Sequence, residues 1–411
     1  MTTPAGPLAG IRILDFTERM QGPYATQMLA DMGADVIKVE RRVSLTPDGR
    51  PDDRYGERNM YGKDHEDSKS YSAGFLASNR NKRSITIDLK SPDGLAVVER
   101  LLPTVDVVYE NFRPGVMERL GVGYERCAEL NPSVVYASAT GYGPDGPYVK
   151  RPGQDVLVEA LTGWGRINGD ATGRPVPVGT AIADTLGAMN GAFAVAAALY
   201  HRALTGEGQH VHVNLFDSAL AALAEWGLHF MNTDQGEPRR ATATHASPYT
   251  PPPYGFYKTA DGYIALSSGR QIKQLCRILE IDDLSEDPRF SGFWPRFDNR
   301  ELFSEIIEEA LGRRTTAEWL ALMEPEDMFA APVNTFAEAF ADPQALHNEM
   351  IVDLETPIGP MKFFGVPYKL DKTPASVRTA PPLHGQHTDE VLLELGFSAA
   401  EIADLRAREA I

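Results

Sequence analysis

Short β-branched segments alternate with helical segments through the first 140 residues, and this alternation constrains the fold more than any other feature of the chain. The segments 11–16 and 35–40 have the character of strands, and 24–32 between them has helical periodicity, which together make a βαβ unit. Further strands are predicted over 84–89, 106–110 and 133–137. Because such alternation is typical of a parallel sheet wrapped by helices, the sequence predicts an α/β fold.

The rest of the chain predicts a second, smaller folded region. A Thr-, Ser- and Pro-rich stretch over 236–253 resembles a linker, and a mixed segment over 254–322 follows it, with a strand hairpin and helices at 272–279 and 300–311. The composition, 43% hydrophobic and 24% charged in 411 residues, is that of a soluble globular protein. The apolar stretch 185–200 is shorter than a membrane span, and we expect it to be a buried helix.

Charge and cysteine content exclude several classes of protein. Asp and Glu number 57 against 40 Lys and Arg, a net charge of -17, which argues against a nucleic-acid or anionic-membrane binder. Two cysteines, Cys127 and Cys276, are too few for a disulfide framework and lack the spacing of a zinc site, so we expect no metal. The first residues lack the pattern of a signal peptide, and we expect a cytoplasmic protein.

Cationic and aromatic side chains follow the predicted strands at the edge where parallel sheets bind ligands. They are Arg19 after the first strand, Arg41 and Arg42 after the second, Asn111, Phe112 and Arg113 after the fourth, and the stretch 79–83 before the third. This set suits a phosphate-bearing ligand with a purine base, although each cation alone could simply be solvated. No GxGxxG opens the first helix and no GxxxxGK[ST] occurs, which excludes an ordinary dehydrogenase or P-loop kinase.

Six sequence blocks, spread over about the first 220 residues, are specific as a combination. They are PLAGIRILDF, QGPYATQMLADMGADVIKVERR, NRNKRSITIDLK, ENFRPGVMERLG, TGYGPDGPY and GTAIADTLGAMNGAFAVAAALYHRALTGEGQHVHVNLFDSAL. Together they resemble the family III coenzyme A transferases, the group that contains formyl-CoA transferase, carnitine CoA-transferase and α-methylacyl-CoA racemase. The remainder of the chain resembles the family only loosely.

The resemblance implies a Rossmann-like large domain with a parallel sheet, a smaller α+β domain, and a ring-like homodimer of two interlocked subunits. We accordingly divide the chain into the N-terminal part of the large domain (1–225), a linker (226–253), the small domain (254–326), a second linker (327–385) and C-terminal helices that return to the large domain (386–411). The implied partners are an acyl-CoA and a carboxylic acid, and no cofactor is implied beyond coenzyme A as co-substrate.

The resemblance also implies a binding site. Residues expected to bind CoA are Met20, Gln21, Arg41, Asn79, Lys82, Asn111, Phe112 and Arg119. Residues expected near the acyl or acid substrate are Arg19, Arg80, Tyr142 and His245, and Arg19, Arg80 and Arg113 could hold a second carboxylate, as in a dicarboxylate such as succinate. Near His245 the glycine run of formyl-CoA transferase is absent, as is a Lys that some relatives carry where this chain has Thr140, so formyl-CoA and oxalate specificity is not expected.

Asp184 precedes the apolar helix and has two interpretations. By sequence alone it is an N-cap whose charge suits the positive end of the helix dipole. In the family, the Asp at this place is the nucleophile that forms an anhydride with the acyl group and then an aspartyl-CoA thioester. On that interpretation the helix terminus would keep the carboxylate ionised, and Gly187 and Gly191 would allow the close packing that places it.

Gln154, the second candidate catalytic residue, separates two activities. Racemases of the family carry His before the Asp that corresponds to Asp155, since moving a proton between faces of the α-carbon needs two bases. An amide cannot serve as that base, so Gln154 favours a transferase and could bind a substrate carboxylate, while Asp155 could be a structural acid. An acyl-CoA racemase or epimerase, a catalytically silent CoA-binding protein and transfer within one dicarboxylate remain alternatives. His210 and His212 are expected to pack rather than bind metal.

Overall fold

The computed structural model describes residues 6–42, 72–168, 173–234, 236–237, 245–356 and 359–411. Its strands are β1 (Arg12–Asp15), β2 (Asp35–Glu40), β3 (Lys82–Thr86), β4 (Val107–Glu110), β5 (Val135–Thr140), β6 (Gln209–Asn214), β7 (Tyr254–Lys258), β8 (Tyr263–Ser267), β9 (Ala330–Pro332), β10 (Ile351–Thr356) and β11 (Gly359–Phe364). Its helices are α1 (Gln21–Asp31), α2 (Ala73–Ser78), α3 (Pro92–Leu101), α4 (Val116–Arg119), α5 (Tyr124–Leu130), α6 (Asp155–Thr162), α7 (Trp164–Ile167), α8 (Ile182–Thr205), α9 (Leu215–Ala221), α10 (Ala224–Asn232), α11 (Ile272–Leu279), α12 (Phe293–Asp298), α13 (Arg300–Leu311), α14 (Thr316–Met323), α15 (Phe336–Ala341), α16 (Pro343–His347), α17 (Thr388–Glu394) and α18 (Ala399–Ala407).

Six parallel strands form one sheet in the order β3-β2-β1-β4-β5-β6. Leu14 on the central strand β1 lies opposite Ile37 on β2 and Val108 on β4. The predicted α/β fold with a large parallel sheet is therefore confirmed. The order of a doubly wound Rossmann-like sheet reverses between β1 and β4, so the loops after these two strands border the crevice where such folds bind ligands.

Alternate residues along each strand supply two hydrophobic cores, one on each face of the sheet, because successive side chains of a strand point to opposite sides. On one face, Leu14 and Val108 pack in a core that includes side chains of α3, α17 and α18. On the other face, Ile13 and Val107 pack in a core that includes side chains of α1 and α8. Those two helices are thereby held side by side over the sheet.

Helix α8 is buried on one face and exposed on the other, so the expectation of a buried helix over 185–200 holds for one of its faces. Small residues such as Gly187 and Gly191 face the core, whereas Phe193 is 77% exposed and Tyr200 is 69% exposed. By length and composition alone the helix could cross a membrane, but 44% of its most apolar window is buried within the protein. Its apolar residues therefore pack in a core on one side, and on the other side they form a stripe that the described residues leave exposed.

The contacts divide the chain into two compact units. The larger unit comprises 1–158, 180–222 and 343–411, and the smaller unit comprises 159–179 and 223–342. The predicted second linker, 327–385, contains β9, α15, α16, β10 and β11 rather than extended chain. Part of this segment joins the larger unit because β10 and β11 pair and pack Phe363 against Phe75 of α2. Of the first predicted linker, 235 and 238–244 lie outside the described residues.

The smaller unit is built on the antiparallel sheet β7-β8-β9. Strands β7 and β8 form the hairpin that the Asp261-Gly262 turn predicts. Helices α11 and α13 have the bounds expected from their apolar periodicity. Tyr257, Phe290 and Trp319 fill the centre of this core.

Candidate active site

The loops after β1, β2 and β4 meet at one place, as expected for the switch point of the sheet. The Glu18 N–H donates to Asn111 Oδ1 at 2.8 Å, and Asn111 Nδ2 donates to the Glu18 carbonyl oxygen at 2.7 Å. The Arg41 guanidinium lies 2.9 Å from Glu18 Oε1. Two residues predicted to bind CoA, Arg41 and Asn111, are thus brought together through a residue, Glu18, that the sequence analysis had not singled out.

A buried ion pair lies beneath the first loop. Lys82 Nζ donates to Asp15 Oδ2 at 3.0 Å, to Asn79 Oδ1 at 2.9 Å and to the Pro23 carbonyl oxygen at 2.8 Å, and its side chain is 0% exposed. Burial alone would raise the pKa of Asp15, but Lys82 and Lys38 outweigh that effect and hold the pKa below its ordinary value.

Lys82 and Asn79 were predicted to bind CoA, and the structure places both in the interior instead, with the three Lys82 N–H donors already bonded within the protein. Their position supports the loop that follows β1. Asp15 and Lys38 were missed by the sequence analysis. The available signal was an ionisable side chain next to apolar residues in each strand, Leu14 before Asp15 and Ile37 before Lys38. Ionisable side chains are rarely buried unless they are paired.

Arg80, predicted to bind a substrate carboxylate, also lies in the interior. Its Nε is 3.1 Å from Asp31 Oδ1 and its Nη2 is 2.7 Å from Asp31 Oδ2. The same guanidinium donates to the carbonyl oxygen of Phe364. Binding a substrate through Arg80 would first require breaking this buried bidentate pair, and its predicted role stays a prediction.

Asp184 lies in the first turn of α8 but is not its N-cap. Ala181 is at the N-cap and offers no side-chain acceptor. Asp155, from the first turn of α6, supplies the cap: its Oδ1 accepts from the N–H of Ala183 at 2.7 Å and of Asp184 at 3.1 Å. This cap could not be read from local sequence because the acceptor is almost thirty residues away from the helix start.

The surroundings of Asp184 disfavour its charged form. Burial is the larger cause and the nearby charge of Asp155 the second, and together they raise the pKa of Asp184 to about 7. The helix terminus, which was expected to keep this carboxylate ionised, does not offset these two effects. A carboxylate with a pKa near neutrality is more basic, and hence a better nucleophile once ionised, than an ordinary aspartate.

Gln21 is packed against the helix that carries Asp184. A Cβ atom at Gly187 would lie 2.7 Å from Gln21 Nε2, so only glycine leaves this amide its place. Gln21 is 4% exposed, and its Nε2 has no hydrogen-bond partner among the described residues. Since Gly187 follows Asp184 by one helical turn, a buried, unsatisfied N–H donor stands next to the end of α8 that bears the carboxylate.

Comparison with known proteins decides the family. Residues 8–388 match the family described as CoA-transferase family III. The chain is a family III CoA-transferase. It is 37% identical over 395 residues to succinate–glutarate CoA-transferase of Agrobacterium fabrum, covering 95% of this chain and 96% of that one. It is 34% identical over 392 residues to human succinyl-CoA:glutarate CoA-transferase, covering 95% and 86% of the two chains.

A solved structure supports the same family assignment. The crystal structure of a CAIB/BAIF family protein from Brucella suis has a TM-score of 0.82 against this chain and 31% sequence identity, and the match covers 96% of this chain and 100% of that one. The agreement extends over nearly all of both chains. The resemblance to the family was close in sequence only over the first half of the chain, and the structural match extends it to nearly the whole CoA-transferase.

Other predicted CoA contacts of the transferase lie at the surface of the same unit. Met20 precedes α1 and is partly buried, Phe112 is partly buried against the core, and Arg119 is exposed at the end of α4. The Phe112 N–H donates to Glu110 Oε2 at 2.8 Å. Burial raises the pKa of Glu110 to about 7. Glu110, which was not among the predicted site residues, thereby fixes the backbone of Phe112.

The predicted substrate contacts Arg19 and Tyr142 and the candidate catalytic residue Gln154 are less enclosed. Arg19 is exposed at a left-handed φ of 67°. The Tyr142 hydroxyl donates to the Pro152 carbonyl oxygen at 3.4 Å. Gln154 is exposed directly before α6. Their predicted roles stay predictions.

The histidines singled out in the sequence lie in different settings. In the larger unit the rings of His210 and His212 are 3.9 Å apart, and His210 Nε2 is 2.9 Å from Ser138 Oγ. No group of three or more metal-ligating side chains occurs in the described part of the chain. In the smaller unit, His245 Nε2 is 2.7 Å from Ser304 Oγ.

Proposed function

We propose that this CoA-transferase moves CoA between two dicarboxylic acids with Asp184 as the covalent nucleophile. The named relatives support the substrate class, because both are named for succinate or succinyl-CoA together with glutarate. The observation that carries the mechanism is the half-buried carboxylate of Asp184 in the first turn of α8, with the unsatisfied amide of Gln21 packed against Gly187 one turn further along the same helix. An acyl-transfer site needs a nucleophile and a donor for the developing oxyanion, and these two groups supply them.

The reaction would pass through anhydrides. The Asp184 carboxylate attacks the thioester carbonyl of the donor, which forms a mixed anhydride and releases CoA as thiolate. The thiolate attacks the Asp184 carbonyl carbon, which forms an aspartyl-CoA thioester and frees the donor acid. The acceptor carboxylate then displaces CoA from Asp184 to give a second anhydride. Attack of the thiolate on its acceptor carbonyl gives the new acyl-CoA and restores the aspartate.

Gln21 and Asp155 would have different roles in these steps. The Gln21 Nε2 donor would stabilise the oxyanion of each tetrahedral intermediate, a contribution worth on the order of 10²–10³ in rate. Asp155 would act as a positioning residue, because it holds the first turn of α8 through two backbone N–H groups. Its charge also raises the pKa of Asp184, which keeps the nucleophile basic.

CoA itself would bind beyond the carboxyl ends of β1, β2 and β4. Arg41 and Arg119 would pair with its phosphates, Phe112 would stack on the adenine, and Asn111 would hold the loop that carries Met20. No metal or redox cofactor is needed for the steps above. We also propose that the transferase acts in the cytoplasm.

The exposed stripe of α8 supports a homodimer. Four of its apolar residues are more than half exposed: Met189, Phe193, Tyr200 and Leu204. Monomers rarely leave such a contiguous apolar surface in water, so we propose that a second copy of the chain covers it. The interlocked form of the dimer follows from the family resemblance.

A CoA-transfer assay tests the proposal. Succinyl-CoA and glutarate are incubated with the wild type and with Asp184→Asn, and glutaryl-CoA is followed by mass spectrometry. Glutaryl-CoA should form with the wild type and fall by at least about 10³-fold in Asp184→Asn, since an amide cannot form the anhydride. The same reaction in D₂O separates the racemase: deuterium entering the α-carbon without transfer would contradict the proposal.

A further inference from the structure

The smaller unit contains an arginine whose hydrogen-bonding capacity is unused. Arg300 opens α13, its side chain is 14% exposed, and its Nε is buried without a hydrogen-bond partner. Its nearest carboxylate oxygen, Glu301 Oε1, is 3.8 Å away, too far for a hydrogen bond. Within the described residues this guanidinium therefore lies largely desolvated without a hydrogen bond, and its one carboxylate neighbour, Glu301, is at the long end of ion-pair distance and half exposed.

A second arginine four residues earlier in the chain is in a similar state. Arg296 Nη1 and Nη2 reach the carbonyl oxygens of Phe290 and Gly269 at 3.4 Å, and its Nε is buried without a partner. No carboxylate among the described residues lies within ion-pair distance of it, and burial accordingly lowers its pKa. Desolvated guanidinium groups whose N–H donors lack partners are costly, so two with an unpartnered buried Nε in one small unit indicate that an anion belongs there.

His245 adds an oriented neutral group beside Arg300. Its Nε2 is 2.7 Å from Ser304 Oγ, and Ser304 lies one turn after Arg300 on the same face of α13. Its Nδ1 is buried without a partner among the described residues. Burial and the neighbouring Arg300 charge lower the pKa of His245 to about 4, so it is neutral at pH 7 and offers a hydrogen bond rather than a charge.

The site has the features of a preorganised carboxylate receptor. The Arg300 guanidinium lies 4.6 Å from the centre of the Phe297 ring, which restricts its orientation. Arginine presents N–H donors in a planar fork that matches the two oxygens of a carboxylate. The exposed part of the Arg300 side chain gives a small anion access from solvent.

We propose that Arg300, with His245 beside it and Arg296 as a second cation, binds one carboxylate of a dicarboxylic acid substrate in the smaller unit. This inference rests on the proposed function for the choice of substrate class. It assigns substrate recognition to residues that the sequence analysis did not select, apart from His245.

Binding of glutarate to the full-length protein tests the inference. Isothermal titration at pH 7 compares the wild type with Arg300→Met and Arg296→Met, with Arg289→Met as control, an exposed arginine of the same unit whose Nη2 lies 2.6 Å from Asp287 Oδ2. Thermal melts establish that each variant is folded. We expect Kd to rise about 10- to 100-fold in Arg300→Met, less in Arg296→Met, and to stay unchanged in the control.

The outcomes separate this inference from the proposed function. Absence of glutarate binding by the wild type, or unchanged binding by Arg300→Met, would overturn the inference. Equal losses of acetate, phosphate and glutarate binding would show a general anion site and overturn the assignment to dicarboxylates. CoA transfer by the wild type is measured in parallel: transfer with unchanged glutarate binding in Arg300→Met refutes only the inference, whereas Arg300-dependent binding without transfer refutes only the proposed function.

Discussion

At the scale of single residues, the proposed chemistry depends on Gly187, because the absence of a side chain there leaves room for the Gln21 amide. Gly187→Ala places a methyl group 2.7 Å from Gln21 Nε2 and should displace that amide. We expect kcat to fall roughly 10²-fold, because an oxyanion donor is lost. Folding should be little affected, since alanine favours a helix interior by about 0.5–1 kcal/mol over glycine and offsets the strain.

Gly227→Ala is the matched control for that change. Gly227 lies within α10, and a Cβ there would have no neighbour within 4 Å. It should leave kcat nearly unchanged and raise the free energy of unfolding by about 0.5–1 kcal/mol. Full activity of Gly187→Ala would show that Gln21 has no part in the reaction.

The charge of Asp155 should set the pH range of activity. Asp184 must be ionised to attack, so kcat/KM should rise with pH through about 7, the pKa of its carboxyl group. Asp155→Asn keeps an oxygen that caps α8 but removes the charge that raises this pKa. The rising limb should therefore move to lower pH, while the exposed-pair variant Asp353→Asn leaves it in place. A pH–rate profile in Asp155→Asn that overlays the wild type would refute the role of Asp155.

At the scale of elements, the buried pair between β1 and β3 supports the loop that leads into α1. Lys82→Met leaves the Asp15 carboxylate buried without its closest counter-charge, which should lower the free energy of unfolding by about 3–5 kcal/mol. Lys362→Met removes one partner of an exposed pair and should cost at most about 1 kcal/mol. Urea denaturation of both variants measures the difference, and equal stabilities would contradict the structural role of Lys82.

Helices and strands that are encoded by a pattern within their own segment could be predicted well. The bounds of α11 and α13 follow from apolar periodicity, and the Ser398–Glu401 capping box marks the start of α18. The hairpin of β10 and β11 was missed because its Pro- and Gly-containing segment lacks a strong strand pattern and is stabilised by contact with α2, far away in sequence. Pairing partners of this kind are not encoded in the segment itself.

The site was predictable in position but not in detail. The loops after β1, β2 and β4 were located from the predicted ends of these strands, because parallel strands present their carboxyl ends on one edge of the sheet. Which cations face solvent was not predictable: Arg80 and Lys82 looked like ligands, yet each has a buried acid as partner from another element. The Gln21–Gly187 contact and the Asp155 cap likewise arise only when two helices are packed together.

At the scale of the whole molecule, the apolar stripe on α8 predicts self-association. Phe193→Asp puts a charge into the stripe and should prevent two chains from assembling as they fold, so that the variant sediments as a monomer. Leu393→Asp, at an exposed position of α17 on the other face of the sheet, should leave the dimer intact. A wild type that sediments as a monomer would contradict the proposed homodimer.

Asp184 should become covalently activated during CoA transfer. The wild type is incubated with succinyl-CoA and hydroxylamine, which intercepts anhydrides and thioesters but leaves an ordinary carboxylate unchanged, and its peptides are analysed by mass spectrometry. We predict a hydroxamate on Asp184, present only when the acyl-CoA donor is added. Absence of the adduct under turnover, together with deuterium uptake at the α-carbon of the acyl group, would contradict the account and leave Asp184 as a base.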